Sequence, residues 1–339
     1  MQIDKTSFSS SRALLAQKIR SAQVDQFADL ALEVFHFQAT YNSLYRSYLE
    51  LINCSVESVK DWLQIPCLPI QFFKNHRIQT GVWEPTRVFT SSGTTGQTTS
   101  RHLLHDDDWY FAIAKRCFEA QYGSLAEYCV LGLLPAYLER QNSSLVFMVD
   151  YFIRESSYSD SGFFLYDHEA LIQRITACKR RGIPVVLIGV SFALWDLAEA
   201  HHIDYEGLIV METGGMKGRK KEITREALHR IYQSAFGDRP IHSEYGMTEL
   251  LSQAYAPAAG WFLPGPTMRV RGREITDPFS APVYNRTAAL NIIDLANLDT
   301  ISFIATDDLG KVASDFSFKV LGRMDNSDLR GCNLMIDRY

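Results

Sequence analysis

Three short runs of the chain are apolar on every side: Val130-Leu131-Gly132-Leu133-Leu134, Pro184-Val185-Val186-Leu187-Ile188-Gly189 and Gly207-Leu208-Ile209-Val210-Met211. None alternates polar with apolar residues, so none fits a strand with one wet face. Each is bounded by turn residues. Such runs are what a parallel sheet covered by helices on both faces requires. Helical patterns at 168–181, 192–200 and 224–236 separate and follow them, and strands alternating with helices predict a layered α/β domain.

The flanks of this middle region read differently. Residues 1 to about 85 carry helix formers at three-to-four spacing, as in Ala13-Leu14-Leu15-Ala16 and Phe27-Ala28-Asp29-Leu30-Ala31-Leu32, until Pro66 and Pro69 interrupt them. From about 258 the helical patterns stop. Short β-prone runs at 288–294 and 300–306 then alternate with Gly, Pro, Asn and Asp, the texture of a small antiparallel or barrel-like unit. The expected organisation is a helical segment over 1–85 belonging to the same domain, an α/β core over 86–257, a β-rich subdomain over 258–320 and a tail over 321–339.

Composition excludes several classes. The net charge is −5, from 34 Lys and Arg against 39 Asp and Glu, which supplies no general basic face for nucleic acid. No run approaches the roughly 18–20 apolar residues of a membrane span. Residues 1–20 are polar and lack the apolar stretch of an export signal. The six cysteines, at 54, 67, 117, 129, 178 and 332, show no C-x-x-C spacing, so they are expected as reduced thiols of a cytoplasmic protein rather than as disulfides or a zinc site.

Four segments carry candidate chemistry. The first is Thr90-Ser91-Ser92-Gly93-Thr94-Thr95-Gly96-Gln97-Thr98-Thr99-Ser100, behind the β-prone run 87–90. Its glycines let successive backbone N–H groups turn inward and its hydroxyls add donors, a combination suited to phosphate oxygens. It lacks the Gly-Lys-Ser/Thr of a Walker loop, and a polar surface loop is the plainer alternative. The second is Ser243-Glu244-Tyr245-Gly246-Met247-Thr248-Glu249, where a turn at Gly246 can present an aromatic ring, a hydroxyl and a carboxylate together. The third is Glu212-Thr213-Gly214-Gly215-Met216, a glycine pair at a strand's carboxyl end, where a planar ligand can meet bare backbone. The fourth is Ala305-Thr306-Asp307-Asp308-Leu309-Gly310, followed by Leu321-Gly322-Arg323-Met324-Asp325; an acidic side chain there can accept ribose hydroxyls. Taken singly, the second and fourth read more readily as ordinary turns, and the third reads as well as an ordinary strand-to-helix turn.

Their order is informative. Ser92, Gly93, Thr94, Thr95 and Gly96 resemble the S-G-T-T-G phosphate loop of the adenylate-forming ligases, Gly214-Gly215 resembles their adenine-side glycine pair, and Tyr245 to Glu249 resembles their Y-G-x-T-E. Residues 306–310 resemble T-G-D-L-G, with Asp308 at the aspartate and Asp307 in place of the glycine, and 322–325 resembles the hinge motif G-R-x-D. Over roughly residues 60 to 335 the chain is similar to one branch, the acyl-protein synthetases of bacterial bioluminescence. Pro66-Cys67-Leu68-Pro69-Ile70, Leu134-Pro135-Ala136-Tyr137-Leu138-Glu139-Arg140 and the segment 212–220 carry that likeness, and Thr98-Thr99-Ser100-Arg101-His102 replaces the usual loop Pro-Lys.

The resemblance implies the α/β N-terminal domain of the adenylate-forming fold with its small β-rich subdomain, and makes 86–257 nucleotide-binding and 321–339 a hinge-like tail. Family members carry a further small domain after the hinge, bringing a catalytic lysine; 14 residues follow Asp325 here, so that domain is expected to be lacking. The implied reaction is ATP-dependent formation of an acyl-AMP from a fatty acid, long-chain in the implied family, then transfer of the acyl group to a thiol, with Cys332 as the acceptor. Ser92, Gly93, Thr94, Thr95 and Gly96 would hold phosphates, Thr248 the α-phosphate, Glu249 a Mg2+ ion, Asp308 and Arg323 the ribose, and Tyr245, Gly214 and Gly215 the adenine. His102 would donate to phosphate or to the substrate carboxylate, with a satisfied loop histidine the equal alternative, and Arg330 would lower the Cys332 pKa. Val186 to Phe192 and Leu133 to Tyr137 are candidate walls for the acyl chain, and core packing explains both without a ligand. ATP or AMP and Mg2+ are the implied cofactors, and an acyl-accepting reductase or carrier protein the implied partner. Two alternatives stand beside this: an acyltransferase using a pre-activated donor without ATP, and a non-catalytic nucleotide- or acyl-binding subunit.

Overall fold

A computed structural model describes residues 5–91, 99–134, 142–214 and 223–324. Helices α1 (Lys5–Ser21), α2 (Phe27–Tyr41) and α3 (Ser43–Leu51) come first, then the two-residue strand β1 (Leu68–Pro69) and the short helix α4 (Phe72–Asn75). An antiparallel pair, β2 (Arg87–Thr90) and β3 (Arg101–Leu104), precedes α5 (Asp107–Tyr122). The middle of the chain runs β4 (Cys129–Leu133), α6 (Ser144–Glu155), β5 (Gly162–Phe163), α7 (His168–Arg181), β6 (Val185–Val190), α8 (Ser191–Ala200), β7 (Leu208–Thr213), α9 (Arg225–Phe236) and β8 (His242–Tyr245). Strands β9 (Ala254–Ala256), β10 (Leu263–Pro264), β11 (Met268–Arg273), β12 (Thr287–Asp294), β13 (Phe303–Val312) and β14 (Phe318–Arg323) complete it.

The predicted strands 130–134, 184–189 and 207–211 are β4, β6 and β7. Every residue of β4 and β6 is buried, as all-apolar strands between helical layers must be. They lie in a seven-stranded sheet of order β10-β9-β8-β7-β6-β4-β5, parallel from β5 to β8 and antiparallel beyond. The helices are specified at their ends as well as on their faces. In α7 the Asp167 carboxylate accepts the Ala170 N–H at 2.9 Å, three cationic side chains occupy the last turn, and Gly182 takes the left-handed cap. In α2, Phe27, Leu30, Ala31, Val34, Phe35 and Gln38 recur at helical spacing and are buried.

The second sheet has the order β1-β13-β12-β11, with β14 paired to β13. Its strands pair antiparallel except β1, which joins β13 in parallel, so the chain before β2 contributes an edge to a sheet otherwise built from 268–323. The Gln38 amide of α2 spans the gap, donating to the Asn297 carbonyl at 2.9 Å and accepting the Ser302 N–H at 2.9 Å. The two sheets meet where Phe262 and Phe318 exchange backbone hydrogen bonds at 2.7 and 3.0 Å. That junction places β14 beside the carboxyl ends of β7 and β8.

Candidate active site

Strands β7 and β8 run parallel, and the chain turns sharply after each. After β7 comes Gly214, whose φ of +68° is the left-handed conformation that favours glycine. Its carbonyl accepts a hydrogen bond from the Ser191 hydroxyl at 2.9 Å, fixing the turn to the start of α8. Beneath it Glu212 is buried and heavily partnered. His229 Nε2–H and the Ser243 hydroxyl each donate to its Oε1 at 3.0 Å, and Arg225 Nε lies 3.1 Å from the same oxygen. Burial alone would raise this carboxyl, but the His229 hydrogen bond and the Arg225 charge outweigh it and hold Glu212 below the ordinary range.

After β8 comes the turn 246–250. Tyr245 ends the strand with its hydroxyl donating to Asp308 Oδ2 at 2.7 Å, and its ring packs on Phe262 and Phe318. Burial, with the Asp308 charge beside it, pushes the phenol well above its usual pKa, so it stays a donor. Arg323, opposite Asp308 in the β13–β14 register, donates from Nε to Asp308 Oδ1 at 3.0 Å. Tyr245, Asp308 and Arg323, separated by up to 78 residues, therefore form one constellation. Glu249 faces it: the charges of Arg323 and Asp308 act on its carboxyl, which burial raises and a Ser100 hydrogen bond lowers in part. Thr248 sits half-buried in the same turn.

His102 lies behind this turn rather than in the crevice. Its ring is 1% exposed and both nitrogens are engaged. Nδ1 lies 2.8 Å from the Thr248 carbonyl, which can only accept, so Nδ1 carries the proton and Nε2 accepts from the Thr300 hydroxyl at 3.0 Å. Burial lowers its pKa to about 4, and the ring is neutral at pH 7. In this arrangement neither nitrogen is available to a phosphate or a substrate carboxylate, and the histidine acts on the site through the Thr248 carbonyl. Ser92, Gly93, Thr94, Thr95, Gly96, Gly215 and Cys332 lie outside the described residues, as does Arg330.

A single protein carboxylate beside phosphate oxygens is a donor set that suits Mg2+, which keeps several waters and takes one or two carboxylates. Glu249, buried with one hydroxyl partner and no cation touching it among the described residues, fits that description. Among the described residues no group of three or more His, Cys, Asp or Glu side chains stands ready to hold a metal alone. Three residues without a sequence-based role surround the site. Glu212 and Glu244 lie inside segments singled out by pattern, but their burial depends on strands and helices distant in sequence. Arg225, from α9, reaches the Val320 carbonyl and lies over the Phe262 ring at 5.3 Å; no local pattern marks it.

No protein-family model matches the chain, and no curated protein matches it. The fold does match solved structures. ATP-bound MatB from Rhodopseudomonas palustris aligns with a TM-score of 0.50 at 16% identity, over 70% of this chain and 47% of that one. An open conformation of 2-hydroxyisobutyryl-CoA ligase, in complex with 2-HIB-AMP and CoA, gives 0.66 at 12% identity, over 88% and 70%. A long-chain-fatty-acid-CoA ligase from Archaeoglobus fulgidus gives 0.50 at 13%, over 70% and 51%. The likeness is one of fold, and the chain spans about half the length of the first of these structures.

Proposed function

We propose that this chain activates a carboxylic acid, a fatty acid in the implied family, as an acyl-adenylate and passes the acyl group to a thiol. The observation that carries the reading is the convergence of Tyr245, Asp308 and Arg323 with Glu249 at the carboxyl ends of a parallel sheet, where ligands of open α/β sheets bind. The fold is shared with solved ligases bound to ATP and to an acyl-AMP, which supports the same assignment.

In the first half-reaction a carboxylate oxygen attacks the α-phosphorus of ATP, and the bond to the pyrophosphate oxygen breaks. Such a centre needs positioning and charge neutralisation more than covalent help. Tyr245 and the Gly214 turn form the adenine side. Asp308 offers its carboxylate to the ribose; the Arg323 side chain is 71% exposed, so its bond to Oδ1 is weak and is the one a ribose hydroxyl displaces. Thr248 approaches the α-phosphate, held in place by His102. Residues 92–96 hold the outer phosphates. Mg2+, when bound by Glu249, neutralises phosphate oxygens. In the second half-reaction a thiolate sulfur attacks the acyl carbonyl carbon, the mixed-anhydride bond breaks, and AMP leaves. Cys332 is the proposed acceptor.

The test is pyrophosphate release on incubating the full chain with ATP, Mg2+ and a graded series of acids. Release that depends on the acid supports the reading, and no release with any short, long or aryl acid overturns it. Cys332→Ala should keep pyrophosphate release but lose the hydroxylamine-labile acyl label; label retained by that variant clears Cys332.

A further inference from the structure

On the face of β8 opposite Tyr245, Glu244 points its carboxyl between the sheet and α5. The residue is 8% exposed, and among the described residues the hydrogen bond to its carboxyl comes from the Thr213 hydroxyl, to Oε2. The other oxygen, Oε1, lies over the bare Cα of Gly246: a Cβ built there would stand 2.4 Å from it and 3.8 Å from Gln253 Cγ. Gly246 is exposed, so this notch opens at the turn that carries Thr248 and Glu249. Two polar groups are stranded nearby. Gln253 Oε1 and the hydroxyl of Tyr255, the residue paired with Glu244 across β8 and β9, are buried and lack hydrogen-bond partners. Gln253 is 3% exposed and Tyr255 1%.

Buried polar atoms are nearly always paired, and an unpaired one in a native fold calls for a partner not yet in place. Glu244 Oε1 and Gln253 Oε1 can only accept hydrogen bonds while the carboxyl is ionised, and the Tyr255 hydroxyl can do either. An unsubstituted hydrocarbon chain would leave Gln253 Oε1 and the Tyr255 hydroxyl unsatisfied and would offer Glu244 no donor. We infer that Glu244, with Gln253 and Tyr255, forms a polar specificity subsite, and that the acid this chain activates carries a hydrogen-bond donor, a hydroxyl or an amino group, on its acyl portion. The inference rests on the proposed adenylation and names the class of acid for it. Burial raises Glu244 to about 7, so its protonation is free to adjust to a neutral or a cationic donor.

The experiment compares hydroxy acids, amino acids and unsubstituted acids of equal carbon count in pyrophosphate release by the full chain, with Glu244→Gln and Glu244→Leu alongside. A substituted acid should exceed its unsubstituted counterpart at least tenfold in kcat/KM. Glu244→Leu should erase that preference, while the KM for ATP, whose contacts lie across β8, moves less than twofold. Glu244→Gln keeps an acceptor oxygen but no charge, so it should retain preference for a hydroxyl and lose it for an ammonium. Unsubstituted acids used equally well, or a preference that survives Glu244→Leu, would overturn the inference while leaving adenylation standing. If no acid releases pyrophosphate, adenylation fails, and thermal stabilisation by the same acids decides the subsite separately. A substituted acid must then raise the Tm of the parent chain and not that of Glu244→Leu; equal shifts, or none, overturn it.

Discussion

Asp308 uses both carboxylate oxygens inside the protein, and its two bonds are unequal. The bond from Tyr245 is buried, whereas Arg323 reaches in from solvent. Tyr245→Phe strands a buried charged acceptor and should cost about 1.5–3 kcal/mol in urea denaturation, with a rise in KM for ATP. Arg323→Ala should cost under about 1 kcal/mol in the same measurement while still raising that KM. Similar losses for the two variants would mean that burial does not set the difference. Glu244 makes a separate prediction in pH. Its folded pKa is about 7 against an ordinary 4.5, so between these values the folded chain holds a proton that the unfolded chain has released. Stability should therefore fall as pH rises through that window, by at most about 1.4 kcal/mol per pH unit from this group. Glu244→Gln should flatten the slope, and denaturation curves from pH 4.5 to 7.5 measure it. Tyr245, Asp308 and Arg323 were legible in the sequence because each stands in a short motif. Glu244 stands in one of those motifs too, yet its environment is made by Tyr255 across the strand pair and Tyr110 on α5, and no local pattern reports either.

At the scale of elements, β13 and β14 bring Asp308 and Arg323 together through a register that shifts between Leu309 and Gly310. A Cβ at Gly310 would stand 2.1 Å from the Lys319 carbonyl oxygen and 2.9 Å from Leu290. Backbone on one side and a buried side chain on the other cannot both yield, so Gly310→Ala should cost about 3 kcal/mol or more and loosen β14. Gly162, in β5, has nothing within 4 Å of the same construction, and Gly162→Ala should lie within about 1 kcal/mol of the parent. Equal effects in urea titrations would show that the packing at Gly310 relaxes. The long elements were legible for the reason that makes them stable. β4, β6 and β7 bury both faces, and α7 carries its own caps, so composition and spacing report them directly. β1, β5 and β10 span two residues each and exist through partners elsewhere in the chain, which no window of sequence contains. The run expected as a strand from 300 begins pairing only at Phe303. Thr300 is held by other work: its carbonyl accepts from Asn42 and Thr80, and its hydroxyl serves His102.

Across the whole molecule, the nucleotide proposed here would touch both sheets, Gly214 and Tyr245 on one and Asp308 and Arg323 on the other. Its affinity then depends on how firmly the two are held at one separation. Arg225 is the side chain placed to set it. Anchored on α9, it pairs with Glu212 under the Gly214 turn, reaches the Val320 carbonyl of β14 at 3.5 Å, and covers Phe262 at the junction with Phe318. A ligand that binds only the folded chain raises stability by RT ln(1 + [L]/Kd), about 2.7 kcal/mol at a hundredfold excess over Kd. Arg225→Ala should weaken ATP about tenfold, and so remove roughly 1.4 kcal/mol of that stabilisation at fixed ATP. The control is a charge cluster away from the crevice. Asp160, before β5, pairs with Arg174 at 2.9 Å and Arg181 at 2.5 Å, the latter at the end of α7 that leads toward the amino end of β6. Asp160→Asn should lower the stability of the free protein by an amount typical of partly exposed pairs, about 1 kcal/mol or less, and leave the ATP-induced Tm shift intact. Thermal unfolding of both variants with and without ATP and Mg2+ separates the outcomes. A full ATP shift in Arg225→Ala would show that the two sheets hold their spacing without it, through the Phe262 to Phe318 backbone pairing.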